Sequence, residues 1–302
     1  MISVKPSFYD SFSCIASTCR HSCCVGWEID IDQDTRDWYE VRDGEIGALL
    51  RRSISDEPSP HFVLDASERC PMLRDDGLCR LILELGEDAL CDICALHPRF
   101  FNSFPGREES GLGLCCEEVV RLLLHTEEGF HLTVRDDGQG GERDNWVEEL
   151  AKHRDRAIEL LSQSEKSLDA RLKEVFSLFG AVPPAWNAGE TKRLFLSLEQ
   201  MDAHWAQCLY KLPDSAGDDP LKGREESRYA TIFAYLLYRH MICADSIDKA
   251  RLLLCFCAVS TGLVAALDDV EPDDKDEHLR LFSAEIEYSD ENVETICESF
   301  RQ

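Results

Sequence analysis

Ten of the fifteen cysteines fall between Cys14 and Cys116, most of them in tight groups. They read Cys14-x4-Cys19-x3-Cys23-Cys24, then Cys70-x8-Cys79, then Cys91-x2-Cys94 with His97 close behind, and finally the adjacent pair Cys115-Cys116. Thiolates at such short spacings converge on one metal because a turn or a helix start brings their sulfurs together. Cysteines that only pack a core have no reason to cluster in this way, so a metal-bearing N-terminal half is expected. Tetrahedral zinc takes four ligands and a four-iron cluster three or four cysteines, so ten thiols exceed one site. Two sites, or one site with spare thiols, both remain open, and spacing does not choose between zinc and iron–sulfur. His97 either joins the ligands or caps a turn before Pro98.

Other chemistries leave little trace. The chain carries no Gly-x-Ser-x-Gly elbow, no phosphate-loop lysine motif and no Gly-x-Gly-x-x-Gly, of which Gly111-Leu112-Gly113 is only a fragment. The Cys-x3-Cys-x2-Cys signature of radical S-adenosylmethionine enzymes is missing, and Cys19-x3-Cys23-Cys24 shares only its first spacing. Cys208, Cys243, Cys255, Cys257 and Cys297 sit singly or two apart in apolar helical stretches, where packing is the expected role. The aromatic run around Tyr229, Phe233, Tyr235, Tyr238, Arg239 and His240 reads as a core helix, with a substrate or cofactor wall as the alternative.

Composition narrows the function classes. With 59 acidic against 32 basic residues the formal charge is -27, which repels phosphate backbones and anionic lipid and favours a basic partner or a lysine-bearing substrate. No nucleic acid is therefore expected as partner. The opening MISVKPSFYD lacks the charged and apolar regions of a signal peptide, and the longest apolar run, Leu252 to Val259, is too short to span a bilayer. A cytoplasmic protein without a transmembrane segment is expected, and in that reducing compartment clustered cysteines are metal ligands or redox groups rather than disulfides.

The elements that must position these thiols are short. Residues 1 to 27 read as a loop-rich knuckle, Ile29 and Ile31 as a short strand, and Asp34-Thr35 as the cap of a helix that breaks at Asp43-Gly44 and resumes to Ile54. Asp75-Asp76-Gly77 is a turn that sets Cys70 and Cys79 across a hairpin. Leu81 to Leu90 has helical spacing, Gly106 to Gly113 reads as a glycine-rich passage with Gly111-Leu112-Gly113 a flexible approach to the next helix, and Cys115-Cys116 opens that helix, Val119 to His125. After a strand at Phe130 to Val134, the passage Asp136 to Glu142 reads as a linker. Helices are expected at 146–163, 167–178, 191–212, 224–244, 246–267 and 292–300, with an acidic loop at 268–277. The fold class is mainly α: an irregular cysteine-rich metal-binding N-terminal half with short strands (1–135), followed by an α-helical bundle (143–302).

Several stretches together resemble the flagellin lysine-N-methylase family, within a wider group of zinc- or iron-chelating proteins. They are Phe12-Ser13-Cys14-x4-Cys19-x3-Cys23-Cys24-x2-Trp27, Cys70-Pro71-x-Leu73-x4-Leu78-Cys79, Cys94-x3-Pro98-Arg99 and Cys116-Glu117-Glu118-x2-Arg121, with a looser likeness at Tyr235 to His240. The resemblance implies a [4Fe-4S] cluster, with zinc as the alternative or second metal, S-adenosylmethionine as methyl donor, and methylation of lysines on flagellin in the cytoplasm. It assigns metal binding to Cys14, Cys19, Cys23, Cys24, Cys70, Cys79, Cys94 and Cys116, enough for two four-ligand sites, and leaves Cys91 and Cys115 as extras. It names no S-adenosylmethionine pocket and no catalytic base, a role open to a buried acidic group or histidine. The competing expectation is a non-catalytic, zinc-stabilised interaction module whose acidic helical half docks a basic partner.

Overall fold

A computed structural model describes residues 1–125, 129–138, 142–224 and 227–301 of the chain. The fold is mainly helical, with short strands and irregular segments concentrated in the first half. It divides into two compact units: Ser13–Phe100 with Cys116–Glu118, and Met1–Phe12 with Phe101–Cys115 and Val119–Gln302. The linker read at 136–142 includes 139–141, and the helix read from 224 includes 225–226, both outside the described residues.

The cysteine-rich unit is built on a small core of Ile29, Ile31, Tyr39, Leu50, Phe62, Met72 and Leu81, completed by Cys70 and Cys91. Asp32, rather than Asp34, caps the Gln33–Glu40 helix, accepting from Thr35 N at 2.8 Å. Gly44–Ser53 follows as a second helix. The Tyr39 hydroxyl donates to Ala89 O at 2.6 Å inside the core. The alternating Ile29 and Ile31 are buried as expected, but the pairing there is only an isolated bridge between Asp30 and His61. The turn at Asp75 to Gly77 forms as read: Arg74 N bonds to Leu78 O at 2.9 Å, and Leu73 pairs with Cys79. Gly77 takes the left-handed backbone (φ 78°) that its place in the turn requires.

The second unit combines a four-stranded sheet with a helical body. The strands run in the order Arg99–Phe104, Arg107–Leu112, Ile2–Pro6, Leu132–Asp136, with Ile2–Pro6 parallel to Arg107–Leu112 and antiparallel to Leu132–Asp136. Two readings are corrected here. The chain opens as a strand rather than a loop, and 107–112 is a strand rather than a glycine-rich passage. That second strand escaped notice because its inward side chains include Arg107 and Glu109, which are buried as ions. Glu109 accepts from Arg107 at 2.6 Å and from Arg154 at 2.5 and 3.0 Å, and Arg154 lies over the Tyr238 ring.

Ser227–Met241 is the central helix, packed against Asn145–Leu161 and Ile247–Val270. The Tyr238 hydroxyl ties it to the sheet at Ser110 O (2.8 Å) and Val4 O (3.1 Å). Among the described residues Ile247–Val270 is the one helix long and apolar enough to cross a membrane, and 78% of its apolar window is buried by neighbouring protein. The single helix expected at 191–212 is two, Ala188–Leu196 and Ala203–Lys211. The break is built by Glu285, whose carboxylate accepts from Met201 N and Asp202 N at 2.9 and 2.8 Å, and by Asp202 capping the second helix. The acidic stretch at 268–277 is largely helical, and a Lys275–Phe282 helix runs into a wide-turned π-helical segment, Ser283–Glu287.

The buried Glu109 depends on its two arginines, because a carboxylate removed from water needs compensating charge. Arg154→Met is expected to lower the unfolding free energy by about 3 kcal/mol in urea titrations. A loss within the range of an exposed pair, under about 1 kcal/mol, would show that Arg107 alone suffices.

Candidate metal centre

Nine of the clustered cysteines, all but Cys115, belong to the cysteine-rich unit. The backbone brings distant ones together by hydrogen bonds. Cys70 N donates to Cys24 O at 2.8 Å, Gly26 N to Glu68 O at 2.9 Å, and Val25 pairs with Arg69, so the 23–26 and 68–70 segments lie side by side. Cys79 is the residue that opens the Arg80–Leu85 helix, and Cys91 opens Asp92–Leu96. Near the start of the unit the Cys14 sulfur accepts from Ala16 N at 3.4 Å, and Arg20 N donates to Glu117 at 3.0 Å, which anchors the segment that carries Cys116.

Electrostatic neighbourhoods sort these thiols into two sets. Cys19 and Cys23 each feel Cys14 and Cys116. Cys70 feels Cys24 and Cys79, Cys79 feels Cys24 and Cys91, and Cys94 feels Cys91, Cys24 and Cys70. One set is therefore Cys14, Cys19, Cys23 and Cys116. The other is Cys24, Cys70, Cys79, Cys91 and Cys94, with the Cys23–Cys24 contact joining the two. All eight residues singled out by the resemblance fall in these sets. Cys91 falls there as well, buried in the unit's core, whereas Cys115 lies in the other unit near the Tyr288 hydroxyl. His97 caps the end of the Asp92–Leu96 helix, and burial lowers its pKa.

Without a cation the thiols oppose one another's ionisation. Burial, reinforced by Glu117, Cys116 and Cys14, pushes Cys19 up to about 11, and burial with Cys24 and Cys79 pushes Cys70 up to about 12. Two sulfurs are exceptions. Cys24 is lowered by a hydrogen bond from Cys23, and Cys91 by one from Cys94, while both donors are raised. Sets of four and five sulfurs, with no other donor type required, suit a soft thiolate-bound group such as zinc or an iron–sulfur cluster.

A second polar constellation lies in the helical body, unannounced by any motif. The π-helical segment presents Glu287, fully buried, to His240, whose Nε2 lies 2.9 Å from Oε1. Arg239 approaches the same carboxylate at 3.3 Å and bonds the Tyr235 hydroxyl at 3.0 Å. Burial lowers the pKa of His240 against the opposing pull of Glu287. Tyr235 and His240 stood in a stretch that the sequence flagged, but Glu287 lay beyond any recognisable spacing.

The thiol-lined unit and helical body define a cysteine-rich class of protein that carries soft donors suited to a metal. Over 138 residues the chain is 30% identical to proteins named Lysine-N-methylase from Salmonella typhimurium and Salmonella choleraesuis, covering 43% of this chain and 34% of theirs. Over 135 residues it is 30% identical to the flagellar biosynthetic protein FliU of Salmonella muenchen, covering 42% of this chain and 80% of that protein. The chain belongs to the flagellin lysine-N-methylase family. The match spans about a third of the length of the two proteins named Lysine-N-methylase. No family model and no solved structure matches it.

Alkylation of the metal-free protein provides a check on the thiol electrostatics. At pH 7 Cys24 is expected to react about tenfold or more faster than Cys19 or Cys70, because the available thiolate fraction outweighs the lower nucleophilicity of a more acidic thiol. Peptide mapping that found Cys19 or Cys70 modified first would contradict the pairing of Cys23 with Cys24.

Proposed function

We propose that this chain is an iron–sulfur-dependent protein lysine N-methyltransferase. It takes its methyl group from S-adenosylmethionine and modifies lysines of a flagellin-like protein in the cytoplasm. The observation that carries the proposal is the gathering of nine cysteines into two all-sulfur sets in a chain whose relatives include proteins named Lysine-N-methylase. Cys14, Cys19, Cys23 and Cys116 would hold one group, and Cys24, Cys70, Cys79 and Cys94 another, with Cys91 adjacent.

Thiolate-only sets suit zinc and an iron–sulfur cluster alike, and the resemblance to the flagellin lysine-N-methylase family is what selects the cluster. When bound, such a cluster supplies redox chemistry or an open iron position.

The protein's own part is to recognise the lysine and accept its proton. An acidic surface draws a lysine-bearing substrate by long-range attraction. The ammonium must then lose a proton before its nitrogen can bond to the methyl carbon as the donor's sulfur–carbon bond breaks. His240 suits that role: with Nε2 donating to Glu287, Nδ1 carries the lone pair, and the buried carboxylate stabilises the imidazolium that forms. The side chain keeps 11% of its surface exposed, so a proton can reach it.

Anaerobic purification followed by iron and sulfide analysis and incubation with labelled donor and flagellin tests this reading. A coloured protein that labels lysines is expected, with His240→Asn reducing transfer about 10²- to 10⁴-fold while iron content stays constant. A colourless zinc protein that binds a basic partner without labelling it would instead establish an interaction module.

A further inference from the structure

Cys208, read from the sequence as a packing residue, has a different environment from the other cysteines of the helical body. Its sulfur, a Glu271 oxygen and a His278 ring nitrogen all lie within 4.8 Å of one another. Three elements converge there: the Ala203–Lys211 helix carries Cys208, Glu271 ends Ile247–Val270, and His278 lies on Lys275–Phe282. His204, one turn before Cys208, places Nε2 3.8 Å from the same sulfur.

The independent observation is His278 itself, which is only 1% exposed. Its Nδ1 is bound to Asp268 at 2.9 Å, whereas its Nε2 makes no close hydrogen bond and is turned toward the Cys208 sulfur and toward Glu271 Oε2 at 3.8 Å. A buried nitrogen that meets only loose contacts of this kind is rare in a native interior. Asp268, itself buried, is fixed by Arg228 and Tyr229, both at 3.1 Å. A histidine oriented through one nitrogen by a carboxylate, with its other nitrogen turned toward a thiol and a second carboxylate, has the outer-shell arrangement of zinc-bound histidines.

We propose that Cys208, Glu271 and His278, with His204 as fourth ligand at the rim, form a site for a single divalent cation of the zinc class. One thiolate, two imidazoles and one carboxylate suit a borderline cation better than magnesium or calcium, which take oxygen ligands. Bound there, the ion would tie the three helices to one another through side-chain ligands. Lys211, 2.5 Å from the other oxygen of Glu271, holds the carboxylate in place. The site belongs to the helical body rather than to the cysteine-rich unit, and it does not depend on the methylase reading.

The test uses the full-length chain loaded anaerobically with iron and sulfide, then titrated with zinc against a chromophoric chelator. One zinc equivalent is expected, retained in Cys94→Ala and lost in Cys208→Ser, with iron content unaffected by the second substitution. Because Cys208 lies in the core, the rim substitutions His204→Ala and Glu271→Gln provide the safer measurement, and each should weaken zinc binding about tenfold or more. Failure to bind a zinc equivalent, its loss in Cys94→Ala, or unchanged affinity in both rim variants would overturn the proposal.

Discussion

Mutual repulsion among sulfurs is the constraint on which the cysteine-rich unit turns. Nine thiols are drawn into a body whose apolar core is small, and two of them, Cys70 and Cys91, occupy positions that a leucine or valine would fill in an ordinary domain. Burial and neighbouring thiols raise the pKa values of Cys19, Cys23, Cys70, Cys79 and Cys94, whereas Cys24 and Cys91 are lowered by hydrogen bonds from adjacent thiols. Such an arrangement gains little from packing alone. Deprotonated thiols held together in this number need a positive centre, and on the proposed reading an inorganic group supplies both the charge and the crosslink that the core lacks.

The helical body solves a related problem by other means. It too buries charge, but pairs three of its buried carboxylates within the chain: Glu109 with Arg107 and Arg154, Asp268 with Arg228 and His278, Glu287 with Arg239 and His240. These three carboxylates hang on different elements, and each joins segments far apart in sequence. Buried ionic groups of this kind are a device for fixing one arrangement among several of similar packing quality. The π-helical turn serves the same end, since it brings Glu285 and Glu287 both inward, one to the break after Leu196 and the other to His240.

What could be read from the sequence followed from how local the signal was. The hairpin between Cys70 and Cys79 was legible because Asp75-Asp76-Gly77 is a turn in its own right, and the helices around 146–178 and 246–270 because their apolar content is continuous. The strand at 107–112 was not, since buried ions replace the apolar residues that mark an inward face. The stretch after Asp268 looked like an exposed acidic loop for the same reason: its first residue is a buried carboxylate whose partners, Arg228 and Tyr229, lie forty residues away. Cysteine spacing announced the thiol sets, yet it could not divide them, because Cys23 and Cys24 are neighbours in the chain whose hydrogen bond joins one set to the other. Glu287 and His278 carried no signal, being single residues whose meaning comes only from what the fold puts beside them.

The thiol set of Cys14, Cys19, Cys23 and Cys116 is closed by a residue that returns to its unit after the intervening strands. During synthesis the chain emerges in order, so the five sulfurs of the other set are all outside the ribosome while this one still lacks its last member. On the proposed reading assembly would then have a direction: the set around Cys24 could be filled on a nascent chain, whereas the set around Cys19 would wait until the strands Arg99–Phe104 and Arg107–Leu112 and then Cys116 have been made.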